Sequence, residues 1–240
     1  RDTGRSDCVD FTTDPYALGD LATDAAAILD AHGVAAAHVV GLSMGAAIGQ
    51  WLAVHRAPRV LTLTALASSP MNHNPGPAWA RALAGSPADP DDLPPPTAAF
   101  VSHLFASMRA PRATHQQRPT PTCRPGACST ATPCPSTNLP REAFVARSYA
   151  RAIDPAAALN HDLGGRRFDA DRRASLSTVS APTLVLHGSA DPLFPPAHDA
   201  ALAAQIPGAR LEVLPGAGHH PFFAPGLTAR TAALILHHTA

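Results

Sequence analysis

One five-residue motif has the residue types and spacing of a nucleophile site. Residues 41–45 read Gly-Leu-Ser-Met-Gly, which matches G-x-S-x-G, and they stand where a predicted strand runs into a predicted helix. A sharp turn there forces Ser43 into strained backbone angles, and we expect glycines at Gly41 and Gly45 to be needed to avoid clashes. The serine then lies at a helix N-terminus, and the N–H of Met44 can donate to a developing oxyanion. The motif predicts a nucleophilic serine with one oxyanion-hole donor.

A serine hydroxyl needs a general base and an acid that orients the base, and two later loops carry candidates. Asp191 follows a short apolar segment at 183–187, and His219 follows a second one at 211–214. Side chains after parallel strands lie at the carboxyl edge of a sheet, where the serine is also expected. The chain contains 13 histidines, so an isolated histidine carries little information. We take His219 as the base because it directly follows a glycine, and we expect its neighbour His220 in packing or in a pocket wall.

Regularly spaced apolar residues predict the elements that would position these side chains. The predicted elements are a helix at 20–32, a strand at 38–42, a helix at 45–55, a strand at 60–66 and, after a long interval, a strand at 183–187, a helix at 196–205, a strand at 211–214 and a helix at 227–238. A strand, a helix and a strand within about 30 residues imply a right-handed parallel crossover. The pattern predicts an α/β fold, with a mostly parallel sheet and helices on both faces.

The interval between the two α/β segments has a different composition. Residues 71–165 have weak periodicity and much proline, and residues 109–141 contain no Asp, no Glu and no aromatic residue. Such a segment buries too little apolar area to offset its ordering entropy. It is either a flexible, disordered cap loop or out-of-frame translation of GC-rich DNA, and the abrupt change in composition favours the second interpretation. The four cysteines, at 8, 123, 128 and 134, do not fit the spacing of a zinc site, and no metal site is predicted.

Composition and charge exclude several classes of function. Of the 240 residues, 45% are hydrophobic, which is enough for a core and excludes global disorder. The 18 basic residues, all of them arginine, balance 18 acidic residues, without a long run of one sign. This balance argues against a dedicated nucleic-acid or membrane-surface binder. No apolar run reaches the roughly 18 residues that a membrane-spanning helix needs.

Taken together, these motifs resemble a known family. The matching segments are residues 2–6, 41–45, 181–188, 191–192 and 216–219. They are similar to the α/β-hydrolase fold, whose members carry a nucleophile, an acid and a base in the chain order found here. The stretches RDTGRSD, DPYALGDLATDAAAILDAHGV and HVVGLSMGAAIGQ are most similar to the aclacinomycin methylesterase type of actinomycete serine esterases. The resemblance covers roughly residues 1–70 and 141–240.

The resemblance implies a domain organisation and a set of partners. Residues 1–70 and 166–240 would form the α/β-hydrolase core, and residues 71–165 would be an inserted cap that supplies the acyl pocket. The implied partner is a small-molecule ester, with no nucleic acid, no membrane and no cofactor, and the oligomeric state stays open. Low use of cysteine outside 109–141 favours the cytoplasm.

The resemblance also implies a reaction. Ser43 would attack an ester carbonyl, His219 would take its proton, and Asp191 would hold the imidazole in the right tautomer. The expected function is hydrolysis of carboxylic esters through an acyl-enzyme, with a polyketide methyl ester as one candidate substrate. The same three residues would serve an enol-lactone hydrolase, a C–C bond hydrolase or a cofactor-free haloperoxidase. An alternative of another class is a non-catalytic ligand-binding member or an inactive fragment.

One departure from the family pattern affects the expected activity. Family members have several strands before the position of Arg1, with a loop that donates the second oxyanion N–H. Because these N-terminal strands are missing here, we expect an exposed apolar edge on the strand before the serine, and poor solubility. Loss of one oxyanion donor lowers the rate by about a hundredfold to a thousandfold, so we expect the chain as written to be nearly inactive.

Overall fold

The computed structural model describes residues 1–109, 139–223 and 226–240. Within these residues the elements are α1 (Leu18–Ala31), β1 (Ala37–Leu42), α2 (Met44–His55), β2 (Val60–Leu66), α3 (Gly76–Leu83), α4 (Ala98–Arg109), α5 (Leu139–Arg151), α6 (Leu159–Arg166), β3 (Thr183–Gly188), α7 (Ala197–Gln205), β4 (Arg210–Leu214) and α8 (Leu227–Thr239). Most of the compositionally unusual segment 109–141, with Cys123, Cys128 and Cys134, lies outside the described residues.

The four strands form one parallel sheet in the order β1-β2-β3-β4. At their carboxyl ends, Leu42 pairs with Leu66, and Leu66 pairs with Leu186. Two residues further along β3, Gly188 pairs with Leu214 of β4. The loops that follow all four strands therefore leave the sheet at the same edge. This edge is where the sequence motifs place the serine, the acid and the base.

Helices pack on both faces of the sheet, as the sequence pattern predicts. Successive residues of β2 and β3 point to opposite faces, because the side-chain period of a strand is two residues. Side chains of α1, α2 and α7 cover one face, and side chains of α8 cover the other. The buried strand residues in the first cluster are Val60, Leu63, Ala65 and Val185, and those in the second are Leu66, Leu184 and Leu186. The predicted α/β class is thereby confirmed.

Helix α1 begins two residues earlier than the pattern predicts. The sequence places the start at Asp20, whereas α1 begins at Leu18. The Oδ2 atom of Asp20, the third helical residue, accepts a hydrogen bond from the N–H of Ala17 at 2.8 Å and so satisfies the backbone donor of the N-cap residue. The four predicted strands agree with the observed ones to within one residue at each end.

The interval 71–165 contains three helices that its weak periodicity does not predict, namely α3, α4 and α6. The composition recovers at 141–153, where the sequence predicts a helix, and α5 confirms that prediction. Helix α6 packs closely on the rest of the structure through two glycines. A Cβ built on Gly164 would lie 2.7 Å from the ring of Tyr16, and a Cβ on Gly165 would lie 2.8 Å from the sulfur of Met44. Helix α6 is therefore held next to the residue that follows Ser43. None of the helices in the described part of the chain combines the length and apolarity needed to cross a membrane.

Candidate active site

Ser43 occupies a strained turn between β1 and α2. Its φ is 55° and its ψ is −117°, and such angles persist in a residue with a Cβ only where the surroundings fix them. The N–H of Ser43 donates to the carbonyl of Leu66 at 2.8 Å, and its own carbonyl accepts from Ser68 Oγ at 3.0 Å. The same carbonyl accepts from the N–H groups of Ala46 and Ala47. Four hydrogen bonds therefore hold the backbone of this turn.

The two glycines of the motif have different steric surroundings. A Cβ on Gly41 would lie 2.2 Å from the carbonyl oxygen of Gly45, a contact that no side chain could make without moving the backbone. A Cβ on Gly45 would meet no atom within 4 Å. The expectation that space requires glycine at both positions is therefore wrong for Gly45. The reason is that the turn brings the backbone of Gly45 onto Gly41, while the Cα of Gly45 faces open space.

Ser43 and Met44 both line a cavity at this edge of the sheet. The N–H of Met44 is the first of α2, and the first N–H groups of a helix have no acceptor within it. Across residues 1–109, 139–223 and 226–240, the hydroxyl of Ser43 takes part in no hydrogen bond. The serine hydroxyl and one helix N–H are thus available to a ligand in the cavity.

Asp191 is buried in the loop that follows β3, and protein donors surround its carboxylate. Its Oδ1 atom accepts from the N–H groups of Leu193 at 2.8 Å and Phe194 at 3.0 Å. Its Oδ2 atom lies 2.8 Å from Nδ1 of His219. Burial by itself would raise the pKa of Asp191, but the hydrogen bond and charge of His219 and the two backbone donors lower that pKa below its usual value. Asp191 is therefore ionised at neutral pH.

His219 is buried in the loop that follows β4. That loop passes close to the end of β3, because a Cβ on Gly188 would lie 2.3 Å from the carbonyl oxygen of Ala217. The N–H of Ala190 donates to the same carbonyl at 2.9 Å. With its Nδ1 bound to the carboxylate, the imidazole has Nε2 as its remaining nitrogen. Asp191 thus fixes both the orientation of the ring and the nitrogen that can accept a proton.

A second imidazole, His187, lies beside the same carboxylate. It is the penultimate residue of β3, and its Nε2 atom is 2.8 Å from the carbonyl oxygen of Phe194 but 3.6 Å from Oδ2 of Asp191. Of the two imidazoles, only that of His219 is within hydrogen-bond distance of the Asp191 carboxylate. His187 was not among the predicted site residues, although a histidine in an otherwise apolar strand was the available signal.

Two of the three predicted residues are hydrogen-bonded to each other, and the third, Ser43, is connected to them only through the cavity and Phe194. Asp191 and His219 form a buried hydrogen bond. Ser43 shares its cavity with Phe194, and the ring centroid of Phe194 lies 5.6 Å from that of His219. No hydrogen bond links Ser43 to His219 among the described residues. His220 packs edge-on against His219, with ring centroids 5.0 Å apart.

The cavity wall contains groups that the sequence analysis did not assign. Met71, Trp79 and Leu193 give it an apolar side, and Arg172 and His73 give it a polar one. Arg172 is the residue that sequence reasoning missed most completely, because nothing in its local sequence distinguishes it from the other arginines. Among the described residues, no three His, Cys, Asp or Glu side chains are grouped so that they could hold a metal ion.

Comparisons with known proteins agree with this geometry. The sequence profile of the alpha/beta hydrolase fold matches residues 1–224. The chain is 34% identical over 221 residues to rhodomycin D methylesterase DauP of Streptomyces sp. (strain C5). It is 33% identical over 221 residues to rhodomycin D methylesterase DnrP of Streptomyces peucetius. Each alignment covers 91% of this chain and 72% of the relative.

A solved structure shows the same likeness in three dimensions. It is a hydrolase from Pseudomonas aeruginosa PA01, which is 28% identical, with a TM-score of 0.58 over 92% of this chain and 72% of that one. The resemblance predicted from the sequence motifs is therefore confirmed. With a profile match over most of its length and two relatives above 30% identity, the chain belongs to the α/β-hydrolase fold family.

Proposed function

We propose that this enzyme hydrolyses carboxylic esters with Ser43 as nucleophile, His219 as general base and Asp191 as the group that orients the base. The main support is the buried hydrogen bond of 2.8 Å between Asp191 and His219, at the edge of the sheet that also carries the strained Ser43 turn. Family membership and the two methylesterase relatives favour ester hydrolysis over other reactions of this fold.

The proposed reaction has two steps. Ser43 Oγ attacks the ester carbonyl carbon while its proton moves to Nε2 of His219, and the N–H of Met44 donates to the oxyanion. The imidazolium then protonates the leaving alcohol as the C–O bond breaks, and water releases the acid from the acyl-enzyme by the same route. A hydrogen bond from Ser43 to His219 is expected to form with substrate, because catalytic hydrogen bonds often tighten only in the complex.

We propose a small-molecule substrate of the polyketide methyl ester class, without nucleic acid or membrane as a partner. The names of the two relatives support the methyl ester, and the apolar wall of Met71, Trp79 and Leu193 suits a largely apolar acyl group. We further propose that residues 1–70 and 166–240 form the core, that residues 71–165 form a cap over the cavity, and that the protein acts in the cytoplasm. The exposed, free Cys8 is compatible with a reducing compartment.

Covalent labelling tests the proposed nucleophile. A fluorophosphonate probe should modify Ser43, because labelling needs an activated serine but not a complete turnover. Ser43→Ala should abolish the labelling and lower kcat on p-nitrophenyl acetate by at least about a thousandfold. Ser148→Ala is the matched control, since Ser148 is exposed on α5 and bonds only to a carbonyl of its own helix. An unlabelled wild-type chain, or labelling that survives in Ser43→Ala, would contradict the proposal.

A further inference from the structure

Arg172 is a buried cation in the wall of the cavity that contains Ser43. Only 6% of the residue is exposed, and it lines the cavity. Among the described residues, no carboxylate oxygen lies within 4.0 Å of its guanidinium nitrogens. Asp169 accepts from the backbone N–H of Arg172 at 3.1 Å rather than from its side chain. The positive charge is therefore buried without a direct counter-ion, which is unusual because burial of an unpaired charge is costly.

Three carbonyl oxygens accept hydrogen bonds from Nε and Nη1 of the guanidinium. Nε donates to Met71 at 3.0 Å, and Nη1 donates to Gly165 at 2.6 Å and, more weakly, to Arg167 at 3.5 Å. The ring of Phe168 covers one face, with its centroid 5.2 Å from Cζ. Nη2, with two N–H donors, bonds to no acceptor in the part of the chain that the structure describes. Because Met71 and Gly165 themselves line the cavity, these contacts hold the guanidinium in its wall.

The other charged groups around the cavity do not neutralise this arginine. Arg166 pairs with Asp162 at 2.8 Å, and both side chains are largely exposed. Burial lowers the pKa of His73, against the opposing effect of Asp92, and burial also lowers the pKa of His198, so both imidazoles are neutral at pH 7. Arginine keeps its charge under such conditions. Asp169 acts on Arg172 through charge at a distance but does not contact the guanidinium, so the wall at Arg172 carries a buried positive charge without a contacting carboxylate among the described residues.

We propose that Nη2 of Arg172 binds an anionic oxygen on the acyl part of the substrate and so selects esters that carry such a group. The inference rests on the proposed function, because it places the anion in the acyl pocket beside Ser43. The matching chemistry is a carboxylate or an ionised phenol attached to the acyl group. A ligand oxygen of this kind would supply both the missing acceptor and the missing counter-charge.

Matched pairs of esters test the selectivity. One pair is mono-p-nitrophenyl glutarate and p-nitrophenyl valerate, in which a carboxylate replaces a methyl group. The other is methyl 4-hydroxy-3-nitrobenzoate, whose phenol is acidic, and its methoxy analogue. We expect kcat/KM for at least one anionic ester to exceed that of its neutral partner by about tenfold to a hundredfold, the range of a charge-assisted hydrogen bond. The pair that shows the preference identifies the source of the anionic oxygen, and no preference in either pair would overturn the proposal.

Variants at neighbouring arginines assign the selectivity to one side chain. Arg172→Gln should remove the preference for the anionic ester, and Arg172→Lys should keep part of it. Arg173→Gln is the matched control, because Arg173 carries the same charge, is exposed and does not line the cavity. A preference that persists in Arg172→Gln, or that disappears in Arg173→Gln, would contradict the assignment.

A binding measurement separates this inference from the proposed reaction and from effects on folding. Arg172 also bridges the carbonyls of Met71 and Gly165, so Arg172→Gln is expected to lower stability. Calorimetry with Ser43→Ala protein keeps Arg172 intact and needs no catalysis. Glutarate monomethyl ester or 4-hydroxy-3-nitrobenzoate methyl ester should bind at least about tenfold more tightly than the neutral counterpart. Equal binding would overturn the anion site, whereas tight anion binding by Ser43→Ala together with a wild-type chain that the fluorophosphonate probe does not label would overturn only the proposed reaction.

Discussion

The carboxylate of Asp191 shows how a few contacts decide which of two imidazoles it orients. Two backbone N–H groups of the following turn occupy Oδ1, which leaves Oδ2 for a side chain. His187 donates instead to a backbone carbonyl at 2.8 Å, so His219 takes the remaining oxygen. The loop geometry, rather than any difference between the two rings, gives His219 the proposed role of base.

Asp191→Asn is expected to lower kcat by about ten-thousandfold, because an amide no longer holds His219 in the tautomer that leaves Nε2 unprotonated.

Asp191→Asn should also lower the free energy of unfolding, by an amount that depends on pH. The pKa of Asp191 is lower in the folded state than its ordinary value of 3.8, so its ionised form stabilises the fold above that pH. This contribution is lost as the pH falls from 3.8 towards the lower folded value. Urea unfolding of both proteins at neutral and acidic pH measures the difference.

The control for this prediction is Asp14→Asn, because Asp14 is exposed and far along the chain from the site. It should leave activity unchanged, and its stability should differ little from the wild type at any pH. A stability gap between wild type and Asp191→Asn that stays constant or widens below pH 3.8 would show that the carboxylate does not stabilise the folded state as argued.

At the scale of elements, the turn between β1 and α2 is built by a close backbone approach. The carbonyl of Gly45 lies where a Cβ of residue 41 would be, and the N–H of Ser43 extends the pairing of β1 with β2 by one hydrogen bond. The helix must therefore begin within one residue of the strand end. This geometry forces the positive φ of Ser43 and places its side chain beside the first N–H groups of α2.

Two alanine substitutions at matched positions test this account of the turn. Gly41→Ala should lower the free energy of unfolding by about 1–3 kcal/mol, because its Cβ would overlap backbone atoms of residues 45 and 46. Gly45→Ala should leave it unchanged or raise it by about 0.5–1 kcal/mol, because the position is open and helical and alanine is the better helix former. Chemical denaturation measures both, and equal losses for the two variants would contradict the steric argument.

Across the whole molecule, exposed apolar side chains lie on both edge strands of the sheet, β1 and β4, and on several helices. Val40 of β1, one of the two edge strands of the described sheet, is 46% exposed, and Leu236 of α8 is 69% exposed. A strand edge with exposed apolar side chains is a template for pairing with another chain, whereas an exposed leucine on a helix is not. Association of the chain is expected to involve β1, because Val40 is more exposed than Leu211 and Val213 on the other edge strand, β4.

Val40→Lys should weaken self-association of the purified chain by at least about tenfold, because a lysine on an edge strand opposes edge-to-edge pairing. Light scattering coupled to size exclusion, over a range of protein concentrations, measures the change. Leu236→Lys removes a more exposed apolar side chain from a helix and serves as the control. If Leu236→Lys disperses the protein as well as Val40→Lys does, general hydrophobic contact rather than the strand edge drives association.

Apolar periodicity and local motifs were enough to predict the α/β class, the positions of the four strands and the G-x-S-x-G turn. These features depend on periodicity and on local backbone geometry, which are properties of neighbouring residues. The sequence also predicted the edge of the sheet at which Asp191 and His219 lie, because the carboxyl ends of parallel strands are at the same edge. The predicted start of α1 was wrong by two residues, since an acidic residue in the first turn can be read as a cap or as the third helical residue.

Which side chains come into contact depends on the folding of distant segments against one another. The 2.8 Å contact between Asp191 and His219 depends on two loops brought together where Gly188 meets Ala217, and the role of His187 depends on a carbonyl that local sequence does not place. Hydrogen bonds to two carbonyls hold Arg172 in the cavity wall. One belongs to Met71, 101 residues away along the chain, and the other to Gly165, 7 residues away. Burial and hydrogen-bond partners are set by long-range packing, so no local pattern distinguishes such an arginine from one on the surface.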